Sequence, residues 1–287
     1  MSRYCSKELF RDHQHLKSGE DYSFAKAIFP GVKHPEQRFG VFAGGRDSYQ
    51  KYAALLDPII NDYHKTDSTQ RFKAQTMQDI LDGGATNYTG SVKNPGKRWD
   101  YFDQSLVKNV RVEAVRNMDQ MPTLAGLTET SAAELVEIQA KVLEGLQAQP
   151  ETAGEQLNFT QIAALSAEQK AALTAKGVIL QKDKHYYTVV PKLTDEQRFV
   201  LHNDKFALMV NFPYEQFRFI VNQPGGSIEE AVRLMQKGIE KSKEMGAKYG
   251  MLATKSWLCC NLANLGGFQI RLTLNFKLSS AEHYKAL

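Results

Sequence analysis

Hydrophobic and polar positions alternate most strictly late in the chain. Phe268, Ile270, Leu272, Leu274, Phe276 and Leu278 interleave with Gln269, Arg271, Thr273, Asn275 and Lys277. A period of two turns one set toward a core and the other toward a polar face, which predicts a strand. Two shorter apolar and aromatic runs, 206–212 and 217–223, predict strands before it. Between them and the last strand, Gly225-Gly226 leads into Ile228, Ala231, Val232, Met235 and Ile239, the stripe of an amphipathic helix. Upstream, Ser131 and Glu134 have capping-box spacing ahead of Leu135, Ile138, Val142 and Leu146. Ser166 and Gln169 repeat that signal before a short Ala-rich helix that Gly177 is expected to stop. Nearer the start, Tyr49, Tyr52, Ala53 and Leu56 share one helical face, and Asp57-Pro58 is expected to break that helix. Residues 82–98 carry several Gly, Asn and Thr plus Pro95 and read as a linker. The division is therefore a helical domain and linker over 1–98 and an α+β domain over 99–287. A helical region followed by strands mixed with helices predicts an α+β protein.

Composition narrows the class. The 287 residues are 42% hydrophobic and 24% charged, ordinary values for a chain that buries its own core. The net charge of +4 comes from 36 basic and 32 acidic residues with no long basic run, which argues against a nucleic-acid partner. No apolar stretch reaches membrane-spanning length. Cys5, Cys259 and Cys260 are too few for a disulfide framework. The polar, mixed-charge start lacks a secretory apolar core. These features lead one to expect an intracellular, cytoplasmic chain; a mitochondrial or ciliary assembly stays open as an alternative, without residues that point to it. His13 and His15 have no completing ligand pattern, so no metal site is expected. Gly90, Gly96 and Lys97 miss P-loop spacing by one residue.

Four stretches point further. Residues 40–49 read Gly-Val-Phe-Ala-Gly-Gly-Arg-Asp-Ser-Tyr, followed at 56–64 by Leu-Asp-Pro-Ile-Ile-Asn-Asp-Tyr-His. His202-Asn203-Asp204 precedes Val210-Asn211, Phe217-Arg218-Phe219-Ile220, Gln223 and Gly225-Gly226, and Asn264-Leu265-Gly266 precedes the strand bearing Arg271. In order and spacing the chain resembles the phosphagen kinases, the ATP:guanidino phosphotransferases, over roughly residues 28–280. The resemblance implies a small all-α N-terminal domain, a larger domain with an antiparallel sheet flanked by helices, and a cleft where substrate and nucleotide meet.

Phosphoryl transfer to a guanidinium needs cations on the triphosphate, a carboxylate on the guanidinium, and alignment of the two. The resemblance assigns nucleotide-binding roles to Arg111, Arg218 and Arg271. It implies a second arginine where this chain has Glu113, and a carboxylate there reverses the sign of the interaction. The guanidinium-gripping carboxylate position falls on Tyr214, with Glu215 one residue along. No residue is assigned a catalytic role outright; Glu215, acting through a bulge, and Cys260 are the vestigial candidates. The reactive-cysteine position falls on Asn261, with Cys260 one residue early. Phe42 stands in the substrate loop where arginine-using members carry a tyrosine, and it lacks the hydroxyl. Cys259 and Cys260 also read simply as small buried residues.

These departures predict a catalytically degenerate homologue that acts as a structural or regulatory subunit of a protein assembly. Two alternatives stay open: a working arginine kinase-like phosphotransferase using ATP and magnesium, and a nucleotide-binding sensor. The family extends past the Asn-Leu-Gly strand with a mobile loop and another phosphate-binding arginine. Their absence before Leu287 is expected to weigh against activity and to leave a surface for a protein partner or a second copy.

Overall fold

The computed structural model describes residues 3–64, 106–118, 120–148, 157–180, 186–225, 227–248, 258–265 and 268–274. The linker 82–98, the domain boundary at Trp99, and Gly90, Gly96 and Lys97 lie outside these residues, as does the end of the alternating run past Leu274.

The N-terminal region is helical apart from two strands of two residues. Its elements are α1 (Lys7–His13), β1 (Lys17–Ser18), β2 (Tyr22–Ser23), α2 (Phe24–Lys33), α3 (Arg46–Lys51) and α4 (Ala53–His64). Helices α1 and α2 start at side-chain caps: Ser6 accepts from Leu9 N and Ser23 from Lys26 N. The break falls at Tyr52, between α3 and α4, and Pro58 lies inside α4. Leu55, Leu56 and Ile60 are buried to 1% exposure or less, and their packing outweighs the N–H that Pro58 removes.

Among the described residues the larger region is built on six antiparallel strands in the order β4-β5-β6-β7-β3-β8. They are β3 (Val107–Arg116), β4 (Asn158–Gln161), β5 (Phe199–His202), β6 (Phe206–Val210), β7 (Phe217–Pro224) and β8 (Phe268–Leu274). The helices are α5 (Glu129–Gln147), α6 (Ala167–Ala175), α7 (Tyr186–Val189) and α8 (Ile228–Lys248). The expected α+β architecture is thus the one observed. One face of the sheet, with Val110, Val112, Ala114, Phe219 and Val221, packs into a core with Leu135 and Val142 of α5 and Val232, Met235 and Ile239 of α8.

Helix α5 begins one turn earlier than its capping signal suggested. Thr128 is the N-cap, its hydroxyl accepting from Ser131 N while the Ser131 side chain accepts from Thr128 N. Nothing between the two candidate caps breaks a helix, so the earlier one wins. The Ser166–Gln169 box forms as expected, and Gly177 ends α6 at φ +70°, a conformation that favours glycine.

Candidate functional site

The second face of the sheet carries charge. Arg111 and Glu113 are two apart on β3 and so project from one face. Glu113 pairs across to Ile220 on β7, which places Arg218 on the diagonal, within reach of a long side chain. Glu113 bridges both arginines: Arg111 Nε to Oε1 at 2.7 Å, and Arg218 Nη1 to Oε2 at 3.0 Å. All three are buried, at 8–9% exposure. Arg111 Nη1 also donates to the Gly177 carbonyl at 2.9 Å, so the end of α6 sits over the cluster. The Nε of Arg218 has no hydrogen-bond partner. Arg271 is the cross-strand neighbour of Arg111 on β8.

Beside the cluster lies a groove of about 500 Å³, lined among others by Lys176, Gly177, His202, Asn203 and Asn222. Burial and the Lys176 charge hold the His202 imidazole below its usual pKa, against the opposing pull of Asp204. Asn203 accepts from the amides of Lys205 and Phe206, while its own Nδ2 is buried without a partner.

The second set of candidates meets elsewhere. The one-residue offset between Tyr214 and Glu215 falls in the β6–β7 loop, where Asn211 (φ +59°) and Tyr214 (φ +67°) both take left-handed backbone. Tyr214 and Glu215 then face different surroundings. The Tyr214 ring packs on Phe42, with centroids 5.0 Å apart, and on Tyr186. Glu215 is fully buried and accepts four hydrogen bonds: Asn117 Nδ2 (2.6 Å), Asn264 Nδ2 (2.7 Å), Cys260 N (3.0 Å) and Asn261 N (3.1 Å). Burial pushes its carboxyl above the usual range, while these donors pull the other way.

Burial, aided by the nearby Glu215 charge, pushes the Cys260 thiol well above its ordinary pKa, and Cys259 likewise. Both have zero exposure and no disulfide joins them. A thiol held protonated in this way is a poor nucleophile. Phe42 is 1% exposed, with its backbone bridged to Asn261. The structure thus brings Arg111 and Arg218 together on the sheet, and Glu215, Cys260 and Phe42 around the 258–264 turn.

Sequence reasoning missed Asn117 and Gly177 as contributors. Asn117 Nδ2 donates to Glu215 and to the Leu258 carbonyl, and its Oδ1 accepts from Gln216 N. An asparagine at the end of a strand carries no signal of such a role. His13 contacts the Leu9 carbonyl through Nδ1, and among the described residues no cluster of His, Cys, Asp and Glu suits a metal ion. No described helix is long and apolar enough to cross a membrane.

Residues 1–61 match the family model described as ATP:guanido phosphotransferase, N-terminal domain. An arginine kinase of Procambarus clarkii is 25% identical over 242 residues, 83% of this chain and 63% of that protein. The chain thus spans less than two thirds of that relative. A lombricine kinase of Eisenia fetida is 22% identical over 274 residues, 93% of this chain and 69% of that protein. Among solved structures, a lombricine kinase superposes with a TM-score of 0.73 at 20% identity, covering 95% of this chain and 72% of that one. The duplicated taurocyamine kinase of Schistosoma mansoni, with bound transition-state analogue components, gives 0.73 at 17% identity, covering 99% and 38%.

Proposed function

We propose that this chain, a member of the phosphagen kinase family by sequence and fold, is a catalytically degenerate homologue that serves as a structural or regulatory subunit of a protein assembly. One observation carries the reading. Glu113 occupies two of the three arginines that the family resemblance assigns to the nucleotide, Arg111 and Arg218. A nucleotide must displace that carboxylate from two guanidinium groups before it gains them. At about 3 Å and an effective dielectric near 20, each contact is on the order of 5 kcal/mol of Coulomb attraction before desolvation is counted. The same carboxylate would repel the triphosphate.

The packed core and the bridges of Glu113 to Arg111 and Arg218 leave surface and shape as the functional remainder. Phe29 and Val32, exposed by 52% and 57%, lie one turn apart on α2 and support a role in protein contact. The test is a coupled assay with ATP, magnesium and arginine, creatine, taurocyamine and lombricine. No transfer above background is expected. Turnover near one per second, an ordinary enzyme rate, would overturn the reading. Calorimetry adds a second arm: ATP binding is expected to be weak, and Glu113→Arg is expected to tighten it.

A working phosphotransferase is the competing reading, and the placement of Glu215 against the Cys260–Asn264 turn favours it. In that case Glu215 would exchange at least one of its donors for the substrate guanidinium, and magnesium would arrive on the nucleotide. The same assay separates the two.

A further inference from the structure

The segment 258–264 belongs to two cores at once. Leu258 and Leu262, at 0% and 2% exposure, pack into the cluster formed by Phe24, Tyr49, Leu55 and Ile60 of the N-terminal helical region. Cys260, between them, packs into the cluster of the sheet. Hydrogen bonds follow the same division. Toward the helical region, Ala43 N donates to the Cys260 carbonyl at 2.9 Å, Tyr49 Oη to the Cys259 carbonyl at 2.5 Å, and His64 Nε2 meets the Leu262 carbonyl at 2.7 Å. Toward the sheet, the amides of Cys260 and Asn261 and the side chain of Asn264 all converge on Glu215. Asn117 closes the ring by donating to both Glu215 and the Leu258 carbonyl.

A second seam runs alongside. Thr123 N donates to the Gly44 carbonyl at 3.1 Å, and the Thr123 hydroxyl to the Ala43 carbonyl. Gly126 packs so closely that an added Cβ would stand 1.9 Å from the Gly44 oxygen. The helical region is thus joined to the sheet region by backbone contacts at 42–44 and 258–262, with Phe42 seated on Tyr214 between them.

We propose that segment 258–264 is an interdomain clasp with Glu215 as its keystone, holding the helical region against the sheet region. The buried carboxylate is the common acceptor for the Cys260 and Asn261 amides and the Asn264 side chain, so the turn keeps its shape only while Glu215 is in place. The turn in turn presents the carbonyls of Cys259, Cys260 and Leu262 to the helical region. This inference stands whether or not the chain transfers phosphate.

Amide hydrogen exchange on the full chain tests it. The reporters are Ala43 N and Thr123 N, which cross the seam, and the amides of Leu208 and Met209 in β6 are the reference. Glu215→Gln puts a donor where the turn needs acceptors. It is expected to speed exchange at Ala43 and in 258–264 by about tenfold or more, with β6 unchanged and the radius of gyration in solution increased. Tyr49→Phe, which leaves Glu215 untouched, is expected to speed Ala43 by a few-fold. Unchanged reporters in Glu215→Gln would overturn the proposal. So would acceleration spread evenly over β6, which would make Glu215 a residue of general stability. A Tyr49→Phe protein with wild-type exchange at Ala43 would also overturn it, because the helical region would then be held by other contacts.

Discussion

Among the described residues of the larger region two carboxylates, Glu113 and Glu215, are buried, and they are satisfied in opposite ways. Glu113 sits between two guanidinium groups on the sheet face, and Glu215 sits among four neutral N–H groups beneath a turn. The first is a matter of charge balance. Removing Glu113 strands two buried cations, which can then recruit another anion. The second is a matter of donor satisfaction. Removing Glu215 strands donors that attract nothing in particular, and the turn they belong to loses its form. The contrast separates a place where an anion can be exchanged from one where an acceptor is part of the framework.

The largest expected effect follows from the framework side. Glu215→Ala leaves two backbone amides and two side-chain amides without their acceptor. At about 1–3 kcal/mol for each stranded buried donor, partly relieved by entering water, the loss is on the order of 4 kcal/mol. At roughly 2–4 °C per kcal/mol for a chain of this size class, the melting temperature should fall by about 10 °C or more. A fall of under 2 °C would show that water replaces the carboxylate freely, and the contrast would collapse.

Glu113 should behave differently in kind. Glu113→Ala is expected to cost about 2–3 kcal/mol, below the usual range for breaking a fully buried pair because the cluster borders a groove. The same change should tighten binding of inorganic triphosphate, as followed by calorimetry. Adding Arg218→Met should recover part of the lost stability, since the second change removes a cation that the first left alone. Destabilisation with no gain in anion binding would mean that Glu113, too, is framework.

A third and smaller effect sharpens the clasp. Tyr49→Phe deletes one hydroxyl that donates to the Cys259 carbonyl, and chemical denaturation should register about 1 kcal/mol. An unchanged midpoint would remove Tyr49 from the account.

What the sequence revealed follows the range of the interaction. The alternation at Phe268–Leu274 and the apolar stripe of α8 are local patterns, and both elements formed. The Ser166–Gln169 box is equally local. The Ser131–Glu134 spacing suggested a start one turn late, because Thr128, with Ser131 as its partner, caps the helix instead. Pro58 misled because the burial of Leu55, Leu56 and Ile60, a tertiary term, overrides a local breaker. The alternation on β3 shows that Arg111 and Glu113 share a face. Their bridge to Arg218 depends on cross-strand register, which the sequence does not carry. The same holds for the clasp, whose partners lie far apart in the chain: Tyr49 with Cys259, and Asn117 with Glu215.

The smallest expected effect comes from a titrating group beside the arginine cluster and outside it. His202 lines the groove, where burial first and Lys176 second hold its pKa below the ordinary value of about 6.5. Between that value and the lower folded one, the unfolded chain binds more protons than the folded chain. Stability therefore rises with pH through this window and is lost as pH falls through it. Melting temperatures measured from pH 8 down to pH 5 should be level at first and then decline, with the His202 share of the decline absent in His202→Gln. Lys176→Ala should shift the imidazole titration upward and narrow the window, which an NMR titration of the ring would follow directly. If Lys176→Ala leaves that titration in place, the groove is wet enough to screen its charges. Screening of that kind would extend to the neighbouring Glu113 cluster and shrink the Coulomb contribution on which its contrast with Glu215 depends.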